Sequence, residues 1–248
     1  MQSTRTIEIS VDSLAKALAA ERGGAHRIEL CSDLSQGGLT PEAQLLRSVR
    51  QKVRIPIFAM IRPRGGDFAY SDIEYAGMER EMETARGMRV DGLVFGILQR
   101  DGQVDVRRTQ RLVELARPLP VTFHRAIDVS ADIHKALEDV MQTGAARVLT
   151  SGGAATAPEG AGCLAKLVQA ASGRIIVMPG CGITASNVTQ VAKSTAAREF
   201  HAGLSSVDIG ANPDERKFEQ EVRKLVRELG GSSSSRAMRS ETDSGLEH

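Results

Sequence analysis

The sequence is poor in aromatic residues: six Phe and two Tyr stand among 248 residues, and Trp is absent. Proteins that bind sugars or single-stranded nucleic acids by stacking use such rings as platforms. The charges nearly cancel as well, with 32 Lys and Arg against 31 Asp and Glu. A net charge of +1 argues against binding of nucleic acid or anionic membranes by bulk electrostatic attraction. We therefore expect neither partner.

Cysteines and long apolar runs are scarce too. Cys31, Cys163 and Cys181 are far apart and form no C-x-x-C pair, which argues against a disulfide framework and fits a reducing cytosol. No run reaches the roughly 18 to 20 apolar residues of a membrane span. The first residues, MQSTRTIEIS, lack the apolar core of a signal peptide. We therefore expect a cytoplasmic protein.

What the sequence does have is a regular alternation of short β-branched runs with amphipathic stretches of helical period. The predicted strands cover 6–10, 27–31, 55–62, 92–98, 121–125, 147–151, 174–178 and 198–202. The predicted helices lie near 12–22, 41–52, 72–87, 105–116, 130–143, 159–171, 185–194 and 213–229. Eight βα units over this length predict an α/β fold, a single-domain (β/α)8 TIM-like barrel, rather than an open doubly wound sheet.

The end of the chain departs from this pattern. We expect the barrel to span residues 1–229. Residues 230–248 are polar and Ser-rich, which predicts a disordered tail with too little apolar content to pack. The final Leu246-Glu247-His248 is typical of an expression-tag remnant.

In such barrels the functional site lies at the C-terminal ends of the strands. Because alternate residues of a strand share a face, we expect acidic and basic side chains to meet inside the barrel mouth: Glu8, Glu29 and Glu199 with Arg62, His124 and His201. His124 is followed by Asp128, and a His beside a carboxylate predicts general acid–base chemistry near neutral pH, with Glu29 and Arg62 as further catalytic candidates. The alternative for Glu8 and Glu199 is a structural ionic plug.

The loops around this mouth predict an anion site. Arg62 and Arg64 lie in a Gly-Gly loop, where guanidinium groups favour a carboxylate or phosphate; the alternative is a salt-bridged loop anchor. Two glycine-containing loops precede helices and favour phosphate binding, although tight turns also explain them. The remaining candidates of this anion site are Thr150, Gly152, Gly153, Gly180, Gly182 and His201.

Cu(I) is a further candidate ligand, since it prefers thiolate and thioether groups. Cys31 lies at a predicted strand end, and Cys181 lies between two glycines. Both are candidate metal ligands, with Met178 nearby in the sequence. The alternative for Cys31 is a small buried apolar side chain.

Several segments, in order along the chain, resemble the CutC copper homeostasis family. They are RIELC at 27–31, QGGLTP at 36–41, MIRPRGGDF at 60–68, VTFHRA at 121–126, RVLTSG at 147–152 and EFH at 199–201. The resemblance covers residues from about 6 to 205. It implies a TIM-like barrel in the cytosol, a role in copper handling with Cu(I) binding, and self-association as a dimer.

The resemblance also implies two cysteine ligands, at the ends of the first two strands. Cys31 matches the second, but Ser10 stands at the first, and a hydroxyl is a poor Cu(I) ligand. Cys181 replaces a family glycine and offers another thiol. Two hypotheses follow: a copper homeostasis protein, or an enzyme with lyase, isomerase or hydrolase chemistry on a small anionic or phosphorylated substrate.

Overall fold

The computed structural model describes residues 5–204 and 215–230. Along these residues eight β-strands alternate with eight α-helices. The strands are β1 (Thr6–Val11), β2 (Arg27–Leu30), β3 (Ile57–Met60), β4 (Gly92–Phe95), β5 (Val121–Phe123), β6 (Arg147–Thr150), β7 (Ile176–Pro179) and β8 (Glu199–Ala202). The helices are α1 (Leu14–Arg22), α2 (Ala43–Lys52), α3 (Asp72–Gly87), α4 (Val106–Ala116), α5 (Ile133–Gln142), α6 (Ala161–Ala171), α7 (Val188–Thr195) and α8 (Glu215–Gly230). All the predicted strands and helices are present.

The strands form one parallel sheet in the order β7-β6-β5-β4-β3-β2-β1-β8. The sheet curls until its two edge strands, β7 and β8, lie side by side, although no hydrogen-bonded ladder joins them in the described part of the chain. The helices surround this nearly closed barrel. The predicted single-domain (β/α)8 fold is confirmed.

Local sequence signals fix the helix ends. The helix α3 begins with a capping box, in which the Ser71 hydroxyl accepts from the Glu74 N–H and the Glu74 carboxylate accepts from the Ser71 N–H. The helix α1 ends at Gly23, where a Cβ would lie 2.6 Å from Val222 of α8. Glycine is therefore required for α8 to pack against α1 and complete the ring of helices.

The barrel has an apolar outer core and a mixed interior. The outer core lies between the strands and the helices and buries side chains such as Ile7, Phe95 and Phe200. A second, smaller apolar cluster contains Cys31, Phe58, Met60 and Val94. These residues share strand faces with the charged side chains of the interior, so the barrel is not filled by aliphatic groups alone.

In β6 the odd-numbered residues face the barrel interior. Val148 packs in the outer core, whereas Arg147 bonds to Glu199 across the interior and Leu149 lines the mouth. Thr150, which shares a strand face with Val148, therefore also lies away from the barrel interior. The reason is that the guanidinium of Arg147 finds its carboxylate partner only on the inner face.

The ends of the chain lie largely outside the described residues. Gly230 is the last residue of α8, and the predicted tail beyond it, with the tag remnant, is not among the residues described. Within 5–204 and 215–230, none of the helices is both long enough and apolar enough to cross a bilayer.

Candidate functional site

The C-terminal ends of the strands surround a cavity of about 590 Å³, which is within the size range of small-molecule sites. Ser10, Met60 and Phe68 contribute to its lining. Seven of the predicted site residues also line it: Glu29, Arg62, His124, Asp128, Cys181, Gly182 and His201. The other six predicted site residues, Cys31, Arg64, Thr150, Gly152, Gly153 and Gly180, are not among the described residues that line this cavity.

Below the mouth, buried charges form a continuous ion-pair network. In the parallel register Glu8 lies beside Arg27 on β2 and beside His201 on β8. Arg27 Nε donates to Glu8 at 2.5 Å, and Arg27 Nη2 donates to Glu199 at 2.9 Å. Arg147 Nε donates to the same Glu199 oxygen at 2.8 Å. The network joins β1, β2, β6 and β8 and so fixes strand register.

This network determines the charge of Glu8. Burial opposes ionisation, but Arg27 and His201 outweigh it and lower the pKa of Glu8 to about 2. The sequence-based expectation that Arg62 and His124 would balance these carboxylates is wrong, because Arg27 and Arg147 do so. Arg27 shares a strand face with Glu29, two residues later, and that signal was missed. No acidic residue on β6 marks Arg147 in the same way.

Glu29 lies at the upper end of the network, next to the cavity. Its Oε2 accepts from the Ser10 hydroxyl at 3.1 Å and lies 3.7 Å from His201 Nε2. Its Oε1 is buried and has no hydrogen-bond partner among the described residues. Burial is the main factor that raises the pKa of Glu29, and the Glu8 charge adds to it. Burial acts against protonation of His201, but the Glu29 and Glu8 carboxylates outweigh it and raise the pKa of that imidazole.

The cysteines occupy two different environments. Cys31 is fully buried, its thiol donates to the Val11 carbonyl at 3.6 Å, and its Sγ lies 3.6 Å from Ser10 Oγ. Burial raises the pKa of this thiol, and the Glu29 charge raises it further. Cys181 is partly exposed at the cavity and donates to the Ala155 carbonyl at 3.2 Å. The thiol of Cys31 thus bonds to β1, and the thiol of Cys181 bonds to the loop after β6.

His124 and Asp128 do not form the expected pair. The Nδ1 of His124 accepts from the Ala126 N–H at 3.2 Å. Burial, with the charges of Arg62 and Arg125, lowers the pKa of His124 to about 3. The imidazole is therefore uncharged at neutral pH and carries its proton on Nε2. It is suited to donate a hydrogen bond and is a poor base, which differs from the expected acid–base role.

Asp128 instead fills the predicted phosphate loop. Its carboxylate accepts from the Thr150 hydroxyl, the Ser151 N–H and hydroxyl, and the Gly153 N–H. Arg125 Nε adds a bond of 2.8 Å. The Gly152 N–H donates to the Thr150 hydroxyl at 2.9 Å. The Thr150 hydroxyl and the Gly153 N–H, which were predicted to hold a phosphate, donate to the chain's own carboxylate, and the Gly152 N–H donates to Thr150. These contacts argue against phosphate binding at this loop, which stays a prediction.

The two arginines of the loop after β3 point to different parts of the molecule. Arg62 is buried, and its guanidinium donates to the main-chain carbonyls of Gln36, Gly38 and Gly66 while it stacks on Phe68 at 4.8 Å. It anchors two loops through carbonyls rather than salt bridges, and its charge remains beside the cavity.

Arg64 turns away from the mouth. Its Nε bonds to Glu74 at 2.5 Å and its Nη2 to Asp67 at 2.9 Å, and it lines a separate cavity on the flank of the barrel. Near β7, the Gly180 N–H donates to the Thr150 carbonyl at 3.0 Å, while Gly182 lines the mouth. An anion-binding role for Arg64 and Gly180 stays a prediction.

A (β/α)8 barrel with buried carboxylate, imidazole and guanidinium groups around a cavity at its C-terminal mouth has the layout of small-ligand barrel proteins. Comparison with known families identifies it more closely: the CutC family matches residues 5–206. The chain belongs to the CutC family, and the resemblance drawn from the sequence motifs is confirmed.

Individual relatives agree. A human protein named copper homeostasis protein cutC homolog is 50% identical over 200 residues, which cover 81% of this chain and 73% of that protein. A CutC family protein of Chromobacterium violaceum is 48% identical over 198 residues, 80% of each chain. The solved CutC structure from Streptococcus agalactiae superposes with a TM-score of 0.76 at 30% identity and covers 80% of this chain and 98% of that one.

Proposed function

We propose that this chain acts in copper homeostasis in the cytosol and that it takes up Cu(I) at Cys31 as cargo. Family membership supports the role, since the human relative, 50% identical, carries that name. The cysteines of the described residues are free, as a reducing compartment requires. Self-association as a dimer stays a prediction.

The observation that carries the copper site is a pair of sulfur-bearing side chains at the mouth, of which Met60 lines the cavity and Cys31 is buried next to Met60. Cys31 and Met60 are buried in one cluster. A Cβ at Gly38 would lie 3.3 Å from Cys31 Sγ and 3.5 Å from Met60 Cε, so both side chains pack closely on this glycine and lie near each other. Thiolate and thioether are the ligands that Cu(I) prefers, and Met60 also lines the cavity through which an ion would enter.

Uptake of Cu(I) at this place has to displace the thiol proton. Because burial raises the pKa of Cys31, the thiol is protonated at neutral pH, and binding releases that proton. The carboxylate–imidazole group of Glu8, Glu29 and His201, whose ligand atoms lie within 4.8 Å of one another, suits Cu(I) less well, since its donors are oxygen and nitrogen. Both oxygens of Glu8 are also engaged already, by Arg27 and His201.

An anaerobic Cu(I) titration tests this site. We expect Cys31→Ser to weaken Cu(I) binding by about tenfold or more, because it replaces the thiolate by a hydroxyl. Cys163→Ser, on the outer helix α6, is the matched control that should leave the affinity unchanged. Cys181→Ser tests the other candidate thiol, which lines the cavity. An affinity that Cys31→Ser leaves unaltered would contradict the copper site.

A second candidate function is that of an enzyme acting on a small anionic substrate in the same mouth. One observation favours it: Glu29 Oε1 and His124 Nε2 are buried without hydrogen-bond partners in the described structure, and both residues line the cavity. Buried polar atoms are normally paired. Two unpaired atoms at one cavity therefore favour a ligand that supplies their partners.

Thermal-shift measurements with phosphate and with small carboxylates test this second candidate. A ligand that binds the native state raises the melting temperature by mass action, and we expect a rise of about 2 to 4 °C for each kcal/mol of ligand stabilisation. For Arg62→Ala the melting temperature should be the same with and without the anion. Arg174→Ala, on the outer surface, should preserve the rise. If none of the anions shifts the melting temperature, the candidate loses its support.

A further inference from the structure

The orientation of the His124 ring is fixed on one side. Its Nδ1 accepts from the Ala126 N–H at 3.2 Å, and a Cβ at Gly96 would lie only 2.5 Å from the same atom. The ring therefore packs closely on the Gly96 backbone, where any larger residue would displace it. Phe68 closes another side, with ring centroids 4.9 Å apart. His124 is 4% exposed, so the ring has little freedom to turn.

The opposite edge of the ring carries the proton. Because Nδ1 is an acceptor and the imidazole is uncharged, the N–H group is at Nε2. This N–H has no acceptor within the described residues, although the residue lines the mouth cavity. A buried, orientationally fixed donor without an acceptor is costly to leave unpaired, and the missing acceptor is therefore expected from a ligand.

The charged side chains around the cavity indicate the sign of that ligand's charge. Arg62 and Arg125 line it together with Glu29, Asp128 and His201. The carboxylate of Asp128 is already enclosed by Arg125 and four donors of the β6 loop. The guanidinium of Arg62 donates to main-chain carbonyls and stacks on Phe68, and no carboxylate forms a salt bridge with it among the described residues. Positive charge therefore remains uncompensated next to His124, since both residues contact the Phe68 ring.

We infer that the mouth cavity binds a small carboxylic or oxo acid, one of whose oxygen atoms accepts the Nε2–H hydrogen bond of His124 while its charge lies beside Arg62. This inference rests on the second candidate function and names its ligand class. His124 acts in it as an uncharged donor that polarises a carboxyl or carbonyl oxygen, the role in which a neutral imidazole serves as an electrophile. A cavity of about 590 Å³ admits such a molecule with room for a longer chain.

Binding of pyruvate and acetate, followed by NMR on protein with ¹⁵N-labelled histidine, tests the inference. The variants are His124→Phe, which keeps a ring but has no donor, and His124→Gln, which restores an N–H donor. We expect pyruvate to bind more tightly than acetate, His124→Phe to weaken pyruvate binding by about tenfold or more, and His124→Gln to recover most of that loss. The ¹⁵N shifts of His124 should report an unchanged Nε2–H tautomer from about pH 5 to pH 8.

Two results would overturn the inference. If pyruvate binds His124→Phe as tightly as the unchanged protein, or if His124 titrates near its ordinary pKa, the imidazole is not the fixed, uncharged donor that the inference needs, while the anion site of the second candidate function stands. If neither pyruvate nor acetate binds the folded protein but phosphate does, the inference falls and that candidate function stands; if phosphate does not bind either, both fall together.

Discussion

Replacing Arg27 by methionine is expected to lower the free energy of unfolding by about 3 to 5 kcal/mol, because a broken buried ion pair leaves an uncompensated charge in the interior. Arg27 is 5% exposed, and Glu8, to which it donates, is fully buried. Methionine has a similar length and fills the space of the side chain, so the loss reports on charge rather than on a cavity. Glu199 keeps Arg147 as a partner, which leaves Glu8 as the carboxylate most affected.

The stabilisation by the Arg27–Glu8 pair depends on pH. Arg27 and His201 lower the pKa of Glu8 from 4.5 to about 2, so the stabilisation is fully present above pH 4.5 and is lost as the pH falls toward 2. Without Arg27 the pKa of the folded state rises. The deficit of Arg27→Met should therefore be largest near neutral pH and shrink at about pH 3 to 4, as measured by urea unfolding.

Arg174→Met is the matched control for this experiment. Arg174 forms an ion pair with Glu138 at 3.2 Å, and both side chains are about half exposed. Such surface pairs contribute about 0 to 1 kcal/mol, so this variant should unfold almost as the unchanged protein does at every pH. A loss below about 1 kcal/mol for Arg27→Met as well would show that the interior network does not stabilise the fold.

Most of the fold was accessible from the sequence because each βα unit is specified locally. Short buried runs, helix caps such as Ser71 and the glycines after the helices mark the elements independently of their neighbours. Eight such units then allow few arrangements other than a closed barrel. The strand faces were also predictable for β1, β2 and β8, where Glu8, Glu29 and His201 alternate with apolar residues.

The candidate site was harder to predict because its chemistry depends on contacts between distant segments. Nothing in the sequence shows that Asp128 fills the loop after β6, since Asp128 and Gly153 are brought together only by the barrel. The tautomer of His124 follows from one backbone N–H, which no spacing of residues reveals. Arg27, by contrast, was visible in the pattern, two residues before Glu29 on the same face.

The second large expected effect concerns position 10. The Ser10 hydroxyl lies 3.6 Å from Cys31 Sγ, at the position where the resemblance to the family implies a second cysteine. Ser10→Cys therefore brings two thiols to adjacent positions in the mouth wall. Because Cu(I) prefers thiolates to a hydroxyl, we expect this variant to bind Cu(I) on the order of 100-fold more tightly than the unchanged protein.

In the unchanged protein the Ser10 side chain has a different contact. Its hydroxyl donates to Glu29 Oε2 at 3.1 Å and so helps to orient the carboxyl group at the cavity. Ser10→Ala is the matched control, since it removes this hydrogen bond without adding a thiol. It should leave the Cu(I) affinity unchanged, which separates the gain of a ligand from the loss of the hydroxyl.

The central proposal is that this chain takes up Cu(I) at Cys31, beside the barrel mouth. An anaerobic Cu(I) competition titration of Ser10→Cys, with and without Cys31→Ser in the same chain, tests it most directly. The account predicts an affinity gain on the order of 100-fold for Ser10→Cys, and loss of that gain when Cys31 is also replaced. No gain, or a gain that persists without Cys31, would contradict it.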